Sequence, residues 1–362
     1  KVECFQTDKF IAFFKTDSDF SFDLFAAIFY LLVRYEEYLP YEKDRYGRFA
    51  HDNSIAFKEG FLQTPVINIW LEELRNVLAK RNPEFATSKN TFSFLPTYDI
   101  DIAWSYLNKG LKRNAGAIIQ LFATGKWKSL ANRIKVLKGK LEDPFDAYEW
   151  MDELHMKYKL QPIYFFLVAR GIGRYDKNIN IDNIPFRQLI HAISTKYIIG
   201  LHPSWASNDM PSLLTEEKHS LEQIVTRPIT NTRQHYIRFQ PVTFQRLLAL
   251  GLTHDYSMGY GSINGFRASI TSSYKWYNLK NESATSLTMH PYCFMDANSY
   301  YEQHLTPSEA LDELKMFNSI IRPVNGTMIT IWHNNFLGTD DEFKGWREAY
   351  EEFIKSSIVN NL

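Results

Sequence analysis

The chain is poor in cysteine. Cys4 and Cys293 stand in unrelated contexts, so neither a disulfide framework nor a thiolate zinc cluster can be built from them. That scarcity fits a reducing compartment, with the cytoplasm favoured. There is also no uninterrupted apolar run of membrane-spanning length. The best candidate, LFAAIFYLLV from Leu24 to Val33, is too short to cross a bilayer and reads as a buried helix. Net charge is missing as well: 41 Lys and Arg balance 41 Asp and Glu, which leaves no overall field to favour nucleic acid or a membrane. The first residue is Lys1, and whether a leader precedes it stays open.

What is present is an ordinary soluble globular composition, 45% hydrophobic and 23% charged, over 362 residues, enough for two domains or one large one with an appendage. Aromatics reach 15%, a level that suits a large core and equally a site that stacks the flat faces of sugar rings. Helical periodicity marks FDLFAAIFYLLVRYEEY (22–38) and TPVINIWLEELRNVLAK (64–80), and the polar stretch KRNPEFATSKN (80–90) then breaks the pattern. We place a domain boundary there, with a small, mainly helical N-terminal domain over 1–90 and a second domain over 91–362.

In the second domain short β-rich runs alternate with helical patterns, the signal of repeated βα units. The strand candidates are TFSFLPTYDID, QPIYFFLV, KYIIGLHPSW, HYIRF, LTHDYSMGY, SLTMHPYCF and TMITIWHNN. Six or seven such units predict an α/β fold, a distorted (β/α)7-type barrel. The apolar runs end in groups able to do chemistry: Asp99 and Asp101, His202, His235 with Arg238, Asp255, His290 and His333. In a βα barrel the C-terminal strand ends converge on one mouth, so residues distant in sequence are expected to meet there.

Asp99 and Asp101 are two apart on an extended strand and therefore share a face, opposite Tyr98, Ile100 and Ile102. Two carboxylates on one interior face repel and lose hydration unless a cation or strong donors stand by, and a metal is the economical answer. Zinc sites for hydrolysis take three ligands from His and Asp or Glu and keep a fourth position for water. In GLHPSWAS, Gly200 frees the backbone, Pro203 stiffens the turn and His202 projects from the strand end.

In order, PTYDID, GLHPSWAS, IRFQPVTFQRLLALGLTHDYS and TIWHNN resemble the motifs of the polysaccharide deacetylases, the NodB-homology group or carbohydrate esterase family 4. FYLLVRYEEYL and DRYGRF resemble the added N-terminal domain of a bacterial branch found in Bacteroides relatives. The resemblance implies that Asp99 is a catalytic base and Asp101 a metal ligand, with Ile100 between them. His202 matches the first histidine of a His-(Ser/Thr)-x-x-His motif, but Ala206 stands where the second belongs. The third ligand is then expected from His235, with Ser204, Ser207 and Asn208 as oxygen alternatives. An arginine orienting the base would be Arg238, followed by Pro241, or Arg233. His333 takes the general-acid role with Asn334 beside it. Trp205, Ser204, Asn334 and Asp255 are candidate substrate contacts, Asp255 also as a partner fixing a histidine tautomer, while His290 reads as core.

The implied cofactor is a divalent metal, zinc first. The implied reaction is removal of an N-acetyl group from an amino sugar in a glycan or a lipid-linked sugar. Two other readings stand beside it: a metal-independent glycoside hydrolase using Asp99 and Asp101 as acid and base, and a degenerate barrel that binds glycan without catalysis. From Ile102 to Leu141 there are nine Lys or Arg and no Asp or Glu. This basic helical insertion, 102–142, reads as a ledge for an anionic glycan, a lipid-linked sugar or a membrane surface, or as a solvated helical pair.

Overall fold

The computed structural model of the protein describes residues 2–7, 10–17, 20–86, 90–171 and 173–358. In chain order its strands are β1 (Cys4–Gln6), β2 (Ile11–Phe13), β3 (Ser93–Ile100), β4 (Ile163–Leu167), β5 (Ile198–His202), β6 (Asn231–Thr232), β7 (His254–Asp255), β8 (Tyr274–Asn278), β9 (Ser283–Met289), β10 (Phe294–Met295) and β11 (Thr327–His333). Strands β1 and β2 pair as an antiparallel hairpin, a feature the helical N-terminal pattern did not announce. The other nine form one sheet in the order β10-β11-β3-β4-β5-β6-β7-β9-β8, parallel throughout except for β8 against β9.

A parallel strand covered on both faces needs a continuous apolar run, and β4, IYFFL, is buried at every residue. Helices cover the sheet between strands, and several open on proline, whose missing N–H costs nothing at a helix start: Pro211–Val225, Pro241–Ala249 and Pro307–Ile321. The sheet is curled. Four residues join β9, near one end of the strand order, to β10 at the other, so the two edges lie close. Arg233, just beyond β6, also reaches Asp99 on β3 at 2.8 Å. In a flat sheet those strands would stand about 14 Å apart. The architecture is therefore the expected α/β barrel with one antiparallel strand at its edge.

Two strand expectations need correction. HYIRF is not a strand: β6 ends at Thr232, and His235–Ile237 is a tight turn with Tyr236 at φ 58° and Ile237 at φ 54°. SLTMHPYCF is not one strand but the end of β9 and the start of β10, with Pro291 between them, where it cannot donate to a ladder. Gly200 also has a different role from the one expected. Its register partner is Phe165, and a Cβ on Gly200 would lie 2.4 Å from that ring, so the glycine makes room rather than a turn.

The N-terminal part is fastened to the barrel by paired buried charge. Glu37 accepts from Arg34 Nε at 2.8 Å, from Arg267 Nε at 2.9 Å and from Arg267 Nη2 at 2.8 Å, all three side chains being buried. Burial raises the Glu37 carboxyl's pKa, but the two guanidiniums outweigh it and hold the net value below the usual range. Main-chain bonds add to this, Ile67 N to Ser269 O at 3.1 Å and Phe266 N to Leu62 O at 2.8 Å. The apolar core runs without a break from Ala12 and Phe13 through the barrel to Ile354.

Candidate metal centre

Register explains why the acidic and imidazole groups meet. Asp99 on β3 is the pairing partner of His333 on β11, and on the other side Leu167 on β4 pairs with His202 on β5. Side chains alternate along β3, so Tyr98 points the other way, into a buried cluster where its hydroxyl lies 2.7 Å from both His155 Nε2 and Tyr350 Oη. Asp99 and Asp101 face a cavity of about 570 Å³. Asp99 is buried, while the Asp101 side chain keeps 29% of its surface toward the cavity.

Three imidazoles converge on Asp101. His202 Nε2 is 3.2 Å from its Oδ1, His235 Nε2 is 3.4 Å from Oδ2 and His333 Nε2 is 3.7 Å from Oδ2. In each ring the other nitrogen is already engaged. His202 Nδ1 is 2.6 Å from the Arg233 carbonyl, which can only accept, so Nδ1 donates and Nε2 is the atom presented to the cavity. His235 Nδ1 lies 3.0 Å from Asp176 Oδ1 and His333 Nδ1 lies 2.6 Å from Asp296 Oδ1. Carboxylate or carbonyl partners behind the ring are the usual way a ligating imidazole is aimed.

A divalent ion fits this donor set. Asp101, His202 and His235 each offer one ligand atom, all within 4.8 Å of one another. Two atoms bound tetrahedrally to zinc stand roughly 3.3–3.4 Å apart, close to the separations found here. Asp101 Oδ1 is in addition a buried acceptor without a hydrogen-bond donor among the described residues. Ala206, four residues beyond His202, opens a short 3-10 turn and offers no ligand atom, whereas His235 in the turn after β6 sets its ring centre 4.9 Å from that of His202.

The charge state follows from these partners. Burial alone raises the Asp101 carboxyl's pKa, but the charge of His235 and the close approach of the His202 and His235 imidazoles drive it well below the ordinary carboxylate range. Burial lowers His235, and Asp101 and Asp176 together lift it to about 9. His333 is likewise lowered by burial and lifted by Asp296, with Asp101 and Asp99 helping, to about 10.

Beside the cluster, Arg233 Nη1 donates to Asp99 Oδ1 at 2.8 Å and Nε donates to the Tyr256 carbonyl at 3.0 Å. Its guanidinium lies 4.4 Å from the centre of the Phe165 ring, the ring for which Gly200 leaves space. Arg238, the other candidate, does not face Asp99. It forms a two-pronged pair with Asp209 at 2.8 and 2.9 Å and sits 4.5 Å above Trp205, because the chain reverses between the two arginines at Tyr236.

The expected substrate contacts divide differently from the expectation. Trp205 is half-buried and stacks at 4.0 Å on Tyr175, which itself lines the cavity. Ser204 is buried, accepting at Oγ from Ser207 N. Asn334 is also buried, its amide donating to the carbonyls of Ile102, Ala103 and Phe145, and the neighbouring Asn335 lines the cavity instead. Asp255 is fully buried and accepts from Ser257 N and Oγ, and among the described residues its carboxylate meets no imidazole. His290 stacks on Tyr256 at 4.2 Å, away from the cavity lining.

Two carboxylates at the site were not anticipated. Asp296 follows directly on β10 and would have been found by extending the apolar run CFM by one residue. Asp176 lies in the loop after β4 and carries no such signal. The N-terminal part also reaches the site: Arg48 Nη1 donates to the Tyr236 carbonyl at 2.7 Å, and Arg45, Tyr46 and Arg48 line the cavity.

Behind the His202 loop, Glu217 accepts from Ser204 N at 2.9 Å, and burial pushes its carboxyl from 4.5 up to about 7. The folded protein therefore holds this proton over a range in which the unfolded chain has released it. Stability from this group is fully present below pH 4.5 and is lost as pH rises through about 7. Glu217→Gln cannot ionise, so its stability relative to the parent is expected to be unchanged near pH 4 and higher by up to about 3 kcal/mol at pH 8. Urea unfolding at both pH values measures this. An equal offset at the two would contradict it.

The N-terminal residues 1–83 match DUF7033, a family of unknown function. No curated protein matches the chain. Among solved structures the chain is similar to a Mycobacterium smegmatis protein assigned as a polysaccharide deacetylase, at 15% identity and TM-score 0.47, covering 74% of this chain and 84% of that one. A Pseudomonas aeruginosa protein with the same assignment gives 10% identity and TM-score 0.43 over 73% and 83%. The 4-alpha-glucanotransferase of Thermococcus litoralis gives 9% identity and TM-score 0.42 over 75% and 38%. At such identities, function is argued from the side chains.

Proposed function

We propose that this protein is a metal-dependent hydrolase that removes an N-acetyl group from an amino sugar in a glycan. One observation carries the reading: Asp101, His202 and His235 present three ligand atoms to a common point, beside a buried Asp99 paired with Arg233. The ordered resemblance to polysaccharide deacetylase motifs supports the same chemistry.

A divalent ion held by Asp101, His202 and His235 supplies Lewis-acid polarisation of the amide carbonyl and acidifies water. The rest falls to the chain's own groups. Arg233 Nη1 donates to Asp99 Oδ1, which aims the carboxylate and leaves Oδ2, 3.8 Å from His202 Nε2, to take a proton from the attacking water. His333 holds a proton through its pairing with Asp296 and delivers it from Nε2 to the departing amine. Tyr46, Tyr175 and Tyr236 give the cavity a wall against which the apolar face of a sugar ring packs.

The test is acetate release from an N-acetylglucosamine oligosaccharide before and after chelation. Activity is expected to disappear with chelator and to return with zinc. Zinc at about a hundred times its dissociation constant should also stabilise the fold by about 2.7 kcal/mol. Glycosidic cleavage that survives the chelator, seen as shorter sugars with no acetate released, would favour the glycoside hydrolase reading, and no thermal response to zinc would favour a non-catalytic glycan binder.

A further inference from the structure

The insertion after β3 forms two helices, Leu111–Ala123 and Trp127–Leu137, that stand out from the barrel. Neither has the arrangement of an ordinary surface helix. On the first, Leu111, Ala115, Ile119 and Phe122 recur at helical spacing on one face, and that face is turned outward: Leu111 is 90% exposed, Ile119 69% and Phe122 63%. Trp127, 58% exposed, continues the stripe across the turn and packs edge-on against Phe122 at 5.2 Å. Within the insertion itself, up to Leu141, the charges have a single sign. Lys112, Lys126, Lys135 and Lys138 are exposed, and no acidic residue occurs between Ile102 and Leu141, in a chain whose charges otherwise cancel.

We propose that this helical hairpin docks in the plane of an anionic lipid surface, with Leu111, Ile119, Phe122 and Trp127 in the interfacial layer and the flanking lysines on lipid headgroups. An outward apolar stripe carrying Trp and Phe and bordered by lysine is the arrangement that binds such an interface. Nucleic acid would satisfy the lysines but leave the stripe in water. A second copy would cover the stripe but bring cations against cations. Neither helix is long and apolar enough to cross the membrane, so the contact is peripheral.

The hairpin is braced for this. Asp143 accepts from the backbone N–H groups of Ser105, Tyr106 and Leu107 at 2.7 to 2.9 Å, closing the two ends of the insertion. Arg113 Nη2 donates to the Lys177 carbonyl at 2.9 Å, and Lys128 pairs with Asp341 at 2.6 Å. Lys177 and Glu342, next to Asp341, line the cavity, so a surface under the hairpin lies beside the cavity mouth.

The test is cosedimentation of the full chain with vesicles of phosphatidylcholine alone or with roughly one-third phosphatidylglycerol. Binding is expected to the anionic vesicles only. Ile119→Glu with Phe122→Glu should weaken it at least roughly tenfold, and Lys135→Glu with Lys138→Glu by roughly fivefold per cation. All four positions are exposed, so circular dichroism should show both variants folded, and the charge-reversal pair provides a second reading if the first variant does not fold. Equal binding to both vesicle types, or a folded Ile119→Glu/Phe122→Glu variant that sediments like the parent, would overturn the proposal. So would a stable dimer abolished by that variant, which would assign the face to self-association. No substrate enters the measurement, so its outcome is independent of the deacetylase reading.

Discussion

Asp99→Asn should lower acetate release by roughly 10²–10⁴-fold with zinc saturating, the range that general-base catalysis contributes. The substitution keeps the shape of the side chain, and its amide oxygen can still accept from Arg233 Nη1, now 2.8 Å from the carboxylate. What it removes is the proton acceptor and the negative charge. Arg233 would then be a buried cation without its ion-pair partner, and its Nη2 already has no hydrogen-bond acceptor among the described residues. Some loss of stability is therefore expected, and the kinetic comparison belongs at a temperature where circular dichroism shows both proteins folded. Because Asp99 is not in the ligand set, zinc should still raise the midpoint of thermal unfolding in the variant. Retention of more than about a tenth of the parent's activity would remove Asp99 from the role of base.

A second large effect is expected at Glu37, far from the chemistry. Glu37→Gln leaves Arg267 buried without its carboxylate partner and Arg34 with only Glu36, at 3.5 Å, to answer its charge. Breaking a buried pair in this way costs about 3–5 kcal/mol, against the near-zero value of an exposed one. For a chain of this size that lowers the unfolding temperature by roughly 4–7 °C. Calorimetry should show one transition moving as a whole, because Glu37 belongs to the N-terminal part and Arg267 to the barrel. Two transitions, with only the smaller displaced, would mean that residues 1–90 unfold on their own.

Much of the fold could be read in advance where strands are long and buried. β3, β4, β5 and β11 lie within the runs expected for them because each needs five or more apolar or alternating residues to be covered by helices. β6, β7 and β10 have two residues each, too few to carry periodicity, and their places are fixed by the neighbours they pair with. The site divides along the same line. Asp99, Asp101, His202 and His333 stand at ends of long strands and were visible there. Arg233 and Arg238 could not be told apart, since the reversal at Tyr236 is set by tertiary contacts, the Arg48 donation to its carbonyl among them. Asp176 acquires meaning only once His235 is seen against it.

One relation within the site bears on how such chains can vary. Asp99 and Asp101, two residues apart, are answered by Arg233 and His235, also two apart: arginine meets the first carboxylate and histidine the second. The two short words are read against each other, D-x-D against R-x-H. Insertion or deletion of a single residue inside either would misalign both pairs at once, whereas the intervening Ile100 and Gln234 take no part in them. Chains keeping the centre without His-(Ser/Thr)-x-x-His are then to be sought by these paired words at strand ends.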